Sequence, residues 1–268
     1  MVGLHVFVNN VQKKEIENMN KIKRGIILCG GHGTRLYPLT KCINKHLLPV
    51  GDKPMAQWNI EKMVDAGITE ILIISGKEHC GSIIQQFGDG SELGCNLTYK
   101  VQAKAGGIAE AILLAEDWSK NEPVIVALGD NISNFNLAKY IEEFDDEYYG
   151  AYIFLKEVSD PERFGVAETY QKMSEYSNRF GILNIEEKPK QPKSNLAVIG
   201  YYIYDSTVFE RIKTLKYSDR GELEVTDLNT SYLTDCKLLG FKLADNEFWT
   251  DAGTFESYHK AQKLVNEN

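Results

Sequence analysis

The sequence predicts an α/β fold, in which a Rossmann-like, doubly wound and mainly parallel sheet is accompanied by a smaller lobe. In the first half of the chain, short apolar runs alternate with amphipathic stretches, which is the pattern of βαβ units. A glycine-rich turn follows the first apolar run directly. After residue 150 short strands lie between polar loops. We therefore expect 23–268 to form one domain with halves of about 23–150 and 151–268.

Each element of the first half is predicted from its own residues. The run Gly-Ile-Ile-Leu-Cys at 25–29 is typical of a buried strand. Pro54 suits the first turn of a helix, and Gly67 suits the position after its end. The predicted strands are 25–29, 70–75, 96–101 and 123–128, and the predicted helices are 53–66, 82–87 and 107–118.

The second half is predicted to add strands and helices to the same sheet. The predicted strands are 151–156, 165–168, 181–187 and 197–204, and the predicted helices are 207–214, 224–234 and 254–265. Residues 1–22 precede the first strand and contain Met19, another possible start. We predict that they form a dispensable N-terminal extension.

The composition excludes several classes of function. The chain has 268 residues, 43% of them hydrophobic, so it can bury a core without disulfides or a structural metal. A formal net charge of −8 disfavours nucleic-acid binding, which needs a basic surface. No apolar run approaches the ~20 residues that span a bilayer. The five cysteines are scattered, as in reduced cytosolic proteins. We expect a cytoplasmic protein with no membrane partner.

The glycine-rich turn carries the first functional signal. Gly30, Gly31 and Gly33 would let backbone N–H groups approach phosphate oxygens. A dinucleotide-binding fingerprint would need glycine in place of Leu36, and a Walker A loop would need Gly-Lys-Ser/Thr, so neither matches. The glycines alone are equally consistent with an ordinary turn.

Cations near this turn favour a phosphate-binding site over an ordinary turn. Arg35 lies within the turn and Lys45 follows ten residues later, so both could neutralise a triphosphate. The segments GGHGTRLYPLT, KHLLPV and KPM resemble the signature of the sugar-phosphate nucleotidylyltransferases. Within that family the chain is most similar to the short form of the glucose-1-phosphate thymidylyltransferases. The resemblance implies the nucleotide-diphospho-sugar transferase fold.

The resemblance also implies roles for residues of the first half, the nucleotide-binding half. Arg35 and Lys45 would be catalytic. Gln102 would read the edge of a pyrimidine, although on its own it is more typical of a surface residue. The implied nucleotide-binding residues are Leu28, Gly30, Gly31, Gly33, Thr34, Gln102 and Gly107.

The resemblance also implies a metal site and a sugar-phosphate site, which combine Asp130 and Asn131 with residues of the second half. Asp130 and Asp251 would bind Mg²⁺, which takes oxygen ligands from few carboxylates and from phosphates. The alternatives are purely structural roles, in which Asp130 forms a turn and Asp251 is a helix cap before Thr254. The implied sugar-phosphate-binding residues are Asn131, Gly165, Glu187, Lys188, Val198 and Arg220.

The function that follows is transfer of a nucleotidyl group from dTTP to glucose-1-phosphate, giving dTDP-glucose and pyrophosphate by Mg²⁺-dependent in-line displacement. Glu110 and His46 stand where glutamine is usual in this family, both beside the nucleotide. Use of UTP or of another sugar-1-phosphate is the first alternative, and a non-catalytic sensor of sugar nucleotides is the second. We expect a homo-oligomer, and we expect Arg35→Ala and Lys45→Ala to lower kcat much more than stability.

Overall fold

Nine strands form the central sheet of the protein, which we describe from a computed structural model. The structure describes residues 22–144, 148–172 and 178–267. The predicted extension therefore lies outside the described residues, except for Ile22. That side chain is fully buried in the hydrophobic core.

The central sheet combines strands from both halves of the chain, and four short strands form two smaller ladders. The strands are β1 (Arg24–Cys29), β2 (Pro49–Val50), β3 (Lys53–Pro54), β4 (Glu70–Gly76), β5 (Asn96–Gln102), β6 (Val124–Leu128), β7 (Asn131–Ser133), β8 (Ala151–Glu157), β9 (Gly165–Lys172), β10 (Arg179–Glu187), β11 (Leu196–Tyr204), β12 (Leu238–Lys242) and β13 (Trp249–Asp251).

The helices are short, and most of them cover the faces of the sheet. They are α1 (Met55–Asp65), α2 (Cys80–Phe87), α3 (Ile108–Leu113), α4 (Glu116–Ser119), α5 (Leu137–Glu142), α6 (Val208–Thr214), α7 (Val225–Thr234) and α8 (Phe255–Glu267). Single 3₁₀ turns lie at Thr34–Leu36, Lys45–Leu47, Ser91–Leu93 and Pro161–Arg163.

The strand order of the central sheet is β5-β4-β1-β6-β11-β8-β12-β10-β9. Seven strands run in one direction, and β10 and β11 run against them. Every residue of β1 is buried, as expected for a strand covered on both faces. The predicted α/β fold with a mainly parallel sheet is confirmed.

The core has one cluster on each face of the sheet, which is the doubly wound arrangement. Side chains of α1, α2 and α5 belong to one cluster. Side chains of α3, α6 and α7 belong to the other. Helix α8 packs instead through Ala261 against β2 and the turn after β1, in a third, smaller cluster. No helix within the described ranges is both long enough and apolar enough to cross a membrane.

Two predicted helices are corrected by the structure. Residues 107–118 form two helices rather than one, because α3 ends at Leu113 and α4 begins at Glu116. Lys100 Nζ donates to the carbonyl of Leu114, which a continuous helix would use internally. The helix predicted from residue 53 begins at Met55, because Lys53 and Pro54 pair with β2 as a strand.

Five strands have no counterpart in the sequence prediction. Strand β12 completes the central sheet between β8 and β10. Strands β2, β3, β7 and β13 have only two or three residues each. The β7–β13 ladder positions the site described next, because it aligns Asp251 with Asn131.

Candidate active site

A cavity of about 370 Å³ lies beyond the carboxyl ends of the parallel strands. Loops at this edge are where open α/β sheets bind ligands. Of the residues predicted for the nucleotide and the catalytic step, the cavity brings together Leu28, Gly30, Gly31, Arg35, Lys45, Gln102 and Gly107, with Asp130 beside them.

The glycine-rich turn forms one wall of this cavity. Gly31 and Gly33 have φ of 87° and 62°, in the left-handed region that favours glycine. The Thr40 hydroxyl donates to the Gly33 carbonyl at 2.7 Å and holds the turn closed. Gly33 and Thr34 shape the turn but do not line the cavity, whereas the exposed Arg35 does.

Lys45 and Asp130 form an ion pair at the centre of the site. Lys45 Nζ donates to Asp130 Oδ2 at 2.5 Å, and the two side chains are 14% and 12% exposed. Burial opposes ionisation of Asp130, but the adjacent Lys45 ammonium outweighs it and lowers the pKa of this carboxyl to about 2. Asp130 is therefore a carboxylate at neutral pH.

Asp251 reaches the same place from a distant part of the chain. It pairs with Asn131 in the β7–β13 ladder, and the Ala252 amide donates to the Asp130 carbonyl at 2.8 Å. A Cβ placed on Gly253 would lie 3.2 Å from Asp251 Oδ2 and 3.5 Å from Asp130 Oδ2. The two carboxylates thus flank one small space.

The surroundings of Asp251 disfavour its charge. Burial and the nearby Asp130 carboxylate raise the pKa of Asp251, against the opposing effect of Arg163. Arg163 Nη2 lies 3.3 Å from Asp251 Oδ2. Asp251 is not a helix cap, because Thr254 and Ser257 exchange hydrogen bonds at the start of α8.

Asp130 and Asp251 are the residues that could hold a metal ion. Their oxygens suit a hard divalent cation, and a bound cation would relieve the repulsion between them. Within the residues that the structure describes, no group of three or more potential metal-binding side chains occurs. The remaining ligands of such an ion would come from substrate phosphates and water.

The residues predicted for the sugar phosphate meet where β9 contacts β10 and β11. Gly165 is opposite Glu187 in one ladder and opposite Val198 in the other. Thr226 Oγ1 donates to Glu187 Oε2 at 2.6 Å. Burial opposes ionisation of Glu187, but the bonds from Thr226 and Lys188 lower the pKa of this carboxyl.

Two predicted cations lie beside Glu187 at the surface. Lys188 Nζ is 2.9 Å from Glu187 Oε1, and its backbone has a φ of 45°, uncommon for a residue other than glycine. Arg220 Nη2 is 2.8 Å from Glu224 Oε2 and 3.7 Å from both Glu187 and Glu222. Arg220 therefore lies among carboxylates.

Asn131 lies beneath the site. Its side chain is 1% exposed, and Nδ2 has no hydrogen-bond partner among the described residues. A Cβ on Gly200 would lie 2.3 Å from this Nδ2, so glycine is needed there to make room for the amide.

The loop before α3 is connected to the loop that carries Arg220. Leu223 donates from its amide to the Gly106 carbonyl at 2.7 Å and accepts at its own carbonyl from Ala109 at 3.2 Å. Gly107, with φ of 99°, permits this approach, because a Cβ there would lie 2.3 Å from the Leu223 carbonyl oxygen. The two loops are thus joined by backbone hydrogen bonds.

Comparison with known proteins identifies the family of this chain. A model of the nucleotidyl transferase family matches residues 24–268. The chain belongs to the nucleotidyl transferase family.

Individual relatives of this nucleotidyltransferase carry more specific names. A glucose-1-phosphate thymidylyltransferase of Neisseria meningitidis is 42% identical over 243 residues, which are 90% of this chain and 82% of that protein. One from Xanthomonas campestris is 41% identical over 244 residues, 91% of this chain and 80% of that protein.

Solved structures are similar over nearly the whole chain. One from Bacillus anthracis, described as a glucose-1-phosphate thymidylyltransferase in complex with sucrose, has a TM-score of 0.83 and 49% identity, covering 91% of this chain and 96% of that one. A UDP-glucose pyrophosphorylase complexed with UDP-glucose has a TM-score of 0.81 and 27% identity, and the match covers 92% of this chain and 99% of that one.

Several residues around the nucleotidyltransferase cavity were not among the predicted site residues, although His46 was expected beside the nucleotide. Leu128 ends β6 and Ile74 lies two residues before the end of β4, and both strands neighbour β1, so their strand positions could have identified them. His46 is 1% exposed, and burial together with Lys45 lowers its pKa to about 3, so it is neutral. The lining residues absent from the predicted site residues are His46, Ile74, Ala105, Ile108, Ala111, Leu128 and Glu222.

Proposed function

We propose that this nucleotidyltransferase transfers the nucleotidyl group of dTTP to glucose-1-phosphate and releases pyrophosphate. The observation that carries the proposal is the cavity that joins the glycine-rich turn, Arg35, Lys45 and Gln102 at the carboxyl edge of the sheet. The names of the relatives from Neisseria meningitidis and Xanthomonas campestris support the choice of dTTP and glucose-1-phosphate.

The proposed reaction is a single in-line displacement. A phosphate oxygen of the sugar phosphate attacks the α-phosphorus of dTTP, and the bond between that phosphorus and the bridging oxygen of pyrophosphate breaks. No side-chain nucleophile is required, because the attacking phosphate is already anionic. Catalysis then rests on positioning and on charge neutralisation.

The residues of this chain have separate tasks in that displacement. Backbone N–H groups of Gly30 and Gly31 bind phosphate oxygens. Arg35 neutralises the charge that develops on the departing pyrophosphate. Lys45, held by Asp130, provides a second positive charge near the reacting phosphorus. Glu187 accepts hydrogen bonds from sugar hydroxyls, and Lys188 binds the sugar phosphate.

Magnesium is the proposed cofactor, bound by Asp130 and Asp251. The two carboxylates flank the space beside Gly253, and burial together with the Asp130 charge raises the pKa of Asp251, so the donor set fits a divalent cation. When bound, Mg²⁺ would supply positive charge that reduces repulsion between the two phosphate substrates. We further propose a cytoplasmic homo-oligomer that acts on small molecules and binds neither nucleic acid nor membrane.

UTP is the second candidate substrate. The similarity to a UDP-glucose pyrophosphorylase complexed with UDP-glucose favours it specifically. Thymine and uracil differ by one methyl group, which is worth ~1–3 kcal/mol in an apolar pocket.

The test is pyrophosphate release from purified protein with Mg²⁺, over a matrix of nucleoside triphosphates and sugar-1-phosphates. We expect the highest kcat/KM with dTTP and glucose-1-phosphate, and strictly sequential kinetics. Absence of pyrophosphate release with dTTP or UTP and any sugar phosphate would overturn the proposal. Isolation of a covalent nucleotidyl-enzyme would overturn the single-displacement mechanism.

A further inference from the structure

The side chain of Gln102 is held in one orientation by two acceptors. Its Nε2 donates to Glu110 Oε2 at 2.8 Å and to the Gly107 carbonyl at 3.2 Å. A primary amide has two N–H donors, so both are used in these bonds. The other end of the amide, Oε1, lies 3.5 Å from where a Cβ on Gly30 would be, on the cavity side.

Glu110 acts on this amide from outside the cavity. It lies in α3, and it is not among the residues that line the cavity. A Cβ on Gly106 would be 2.0 Å from Glu110 Oε2, so glycine at that position leaves room for the carboxylate. The backbone and the helix together place Glu110 against Gln102.

The chemistry of Glu110 decides which end of the amide faces the cavity. A carboxylate can only accept hydrogen bonds, so the group it contacts must be Nε2 rather than Oε1 of Gln102. If Gln102 were turned over, Oε1 would face two acceptors, the Glu110 carboxylate and the Gly107 carbonyl, and the contacts would be repulsive. A glutamine at 110 could still accept from Nε2 through its own Oε1, whereas an alanine would leave only the Gly107 carbonyl to hold the amide.

We propose that Glu110 is a positioning residue for base selectivity, which fixes Gln102 so that it presents an acceptor to the nucleobase. This inference rests on the proposed function, because it assumes that Gln102 faces the base. Thymine and uracil carry a hydrogen on N3 and can donate to Oε1. The N3 of cytosine is an acceptor and would face Oε1 unfavourably, so dTTP and UTP are selected over dCTP.

The test compares dTTP with dCTP in wild type, Glu110→Gln and Glu110→Ala. We expect Glu110→Ala to lower the ratio of kcat/KM for dTTP to that for dCTP by about tenfold, the size of one hydrogen bond lost, and Glu110→Gln to retain most of the wild-type ratio because its Oε1 can accept from Gln102. The change is expected in KM, because Glu110 acts on binding of the base and does not touch the reacting phosphates. The matched control is Glu116→Ala, the same chemical change in α4, where the carboxylate pairs with Lys213 outside the cavity.

Binding measurements separate this inference from the proposed function. Calorimetric Kd values for dTTP and dCTP, obtained without sugar phosphate, report base selectivity even in a protein that does not turn over. An unchanged Kd ratio in Glu110→Ala, with unaltered Tm, would overturn the role of Glu110 while leaving dTTP turnover intact. A wild type that binds dTTP selectively but releases no pyrophosphate would refute the proposed reaction and not this inference.

Discussion

The Nζ of Lys45 donates a hydrogen bond of 2.5 Å to Oδ2 of Asp130, and this pair links the segment before β2 to the end of β6. Both side chains are largely shielded from water. Removing one partner of a buried pair leaves the other charge without compensation. The structure therefore changes the expectation for Lys45, whose removal is expected to affect stability as well as rate.

Lys45→Ala is expected to lower the free energy of unfolding by about 3 kcal/mol and kcat by about 100-fold or more. Urea denaturation and steady-state kinetics measure the two effects. The double variant Lys45→Ala with Asp130→Asn is expected to recover part of the stability but none of the rate. If Lys45→Ala were as stable as wild type, the ion pair would contribute nothing to the free energy of unfolding.

Arg35→Ala is expected to raise the activation free energy by ~2–4 kcal/mol, which lowers kcat about 30-fold to 1,000-fold, with little loss of stability. Arg35 is exposed, so solvent screens its interaction with Asp251, whose pKa burial raises and the Arg35 charge lowers. Kinetics and Tm are compared with those of Lys41→Ala, an exposed cation of the same loop. Equal kcat values in the two variants would show that Arg35 is an ordinary surface charge.

Asp130→Asn and Asp251→Asn are each expected to raise the Mg²⁺ concentration for half-maximal activity by about tenfold or more. The reason is that each removes one carboxylate from the space beside Gly253. EDTA is expected to abolish activity, and Mg²⁺ or Mn²⁺ to restore it. Asp160→Asn is the control, because Asp160 also pairs with Arg163 but lies outside this space. A midpoint that stays at the wild-type value in both variants would place the metal elsewhere.

Lys62 is expected to make the free energy of unfolding depend on pH in the alkaline range. Burial lowers its pKa to about 8, while its Nζ donates to the Phe135 carbonyl at 2.6 Å and lies over the Phe135 ring. Below pH 8 the folded protein bears the full cost of the buried charge. Between pH 8 and about 10.5 the unfolded chain binds the proton more tightly, so the free energy of unfolding rises with pH.

The measurement for Lys62 is the difference in unfolding free energy between wild type and Lys62→Met. This difference is expected to change in favour of wild type by about 2–3 kcal/mol from about pH 7 to pH 10.5. The comparison cancels the titration of tyrosines that both proteins share. Lys77→Met, at an exposed position, is expected to show no such change. A difference that stays flat with pH would mean that Lys62 is not desolvated in solution.

The parallel half of the fold could be predicted because β1, β4 and β6 contain continuous apolar runs between clear turns. Strands of two or three residues, such as β7 and β13, could not, because they form only through pairing between distant parts of the chain. The break between α3 and α4 could not be predicted either, because it depends on a contact between distant residues. It depends on Lys100, which reaches the Leu114 carbonyl from a neighbouring strand.

The candidate site was predictable to the extent that its residues lie in compact motifs. The glycine-rich turn and Arg35 are close in sequence, and the cavity unites them. The contacts that set their chemistry are between distant residues. Asp130 meets Lys45 across 85 positions, and Glu187 accepts from Thr226 across 39. No local pattern encodes such pairs, because the packing of the sheet creates them.

The backbone bonds of Leu223 to Gly106 and Ala109 bear on how the two substrates influence each other. Residues 106–109, where the loop enters α3, border the cavity proposed for the nucleotide, and the loop of Leu223 also carries Arg220, which is proposed for the sugar phosphate. A ligand that orders one loop removes part of the entropic cost of ordering the other. Under the proposed function we therefore expect reciprocal cooperativity, in which each substrate strengthens binding of the other by the same factor.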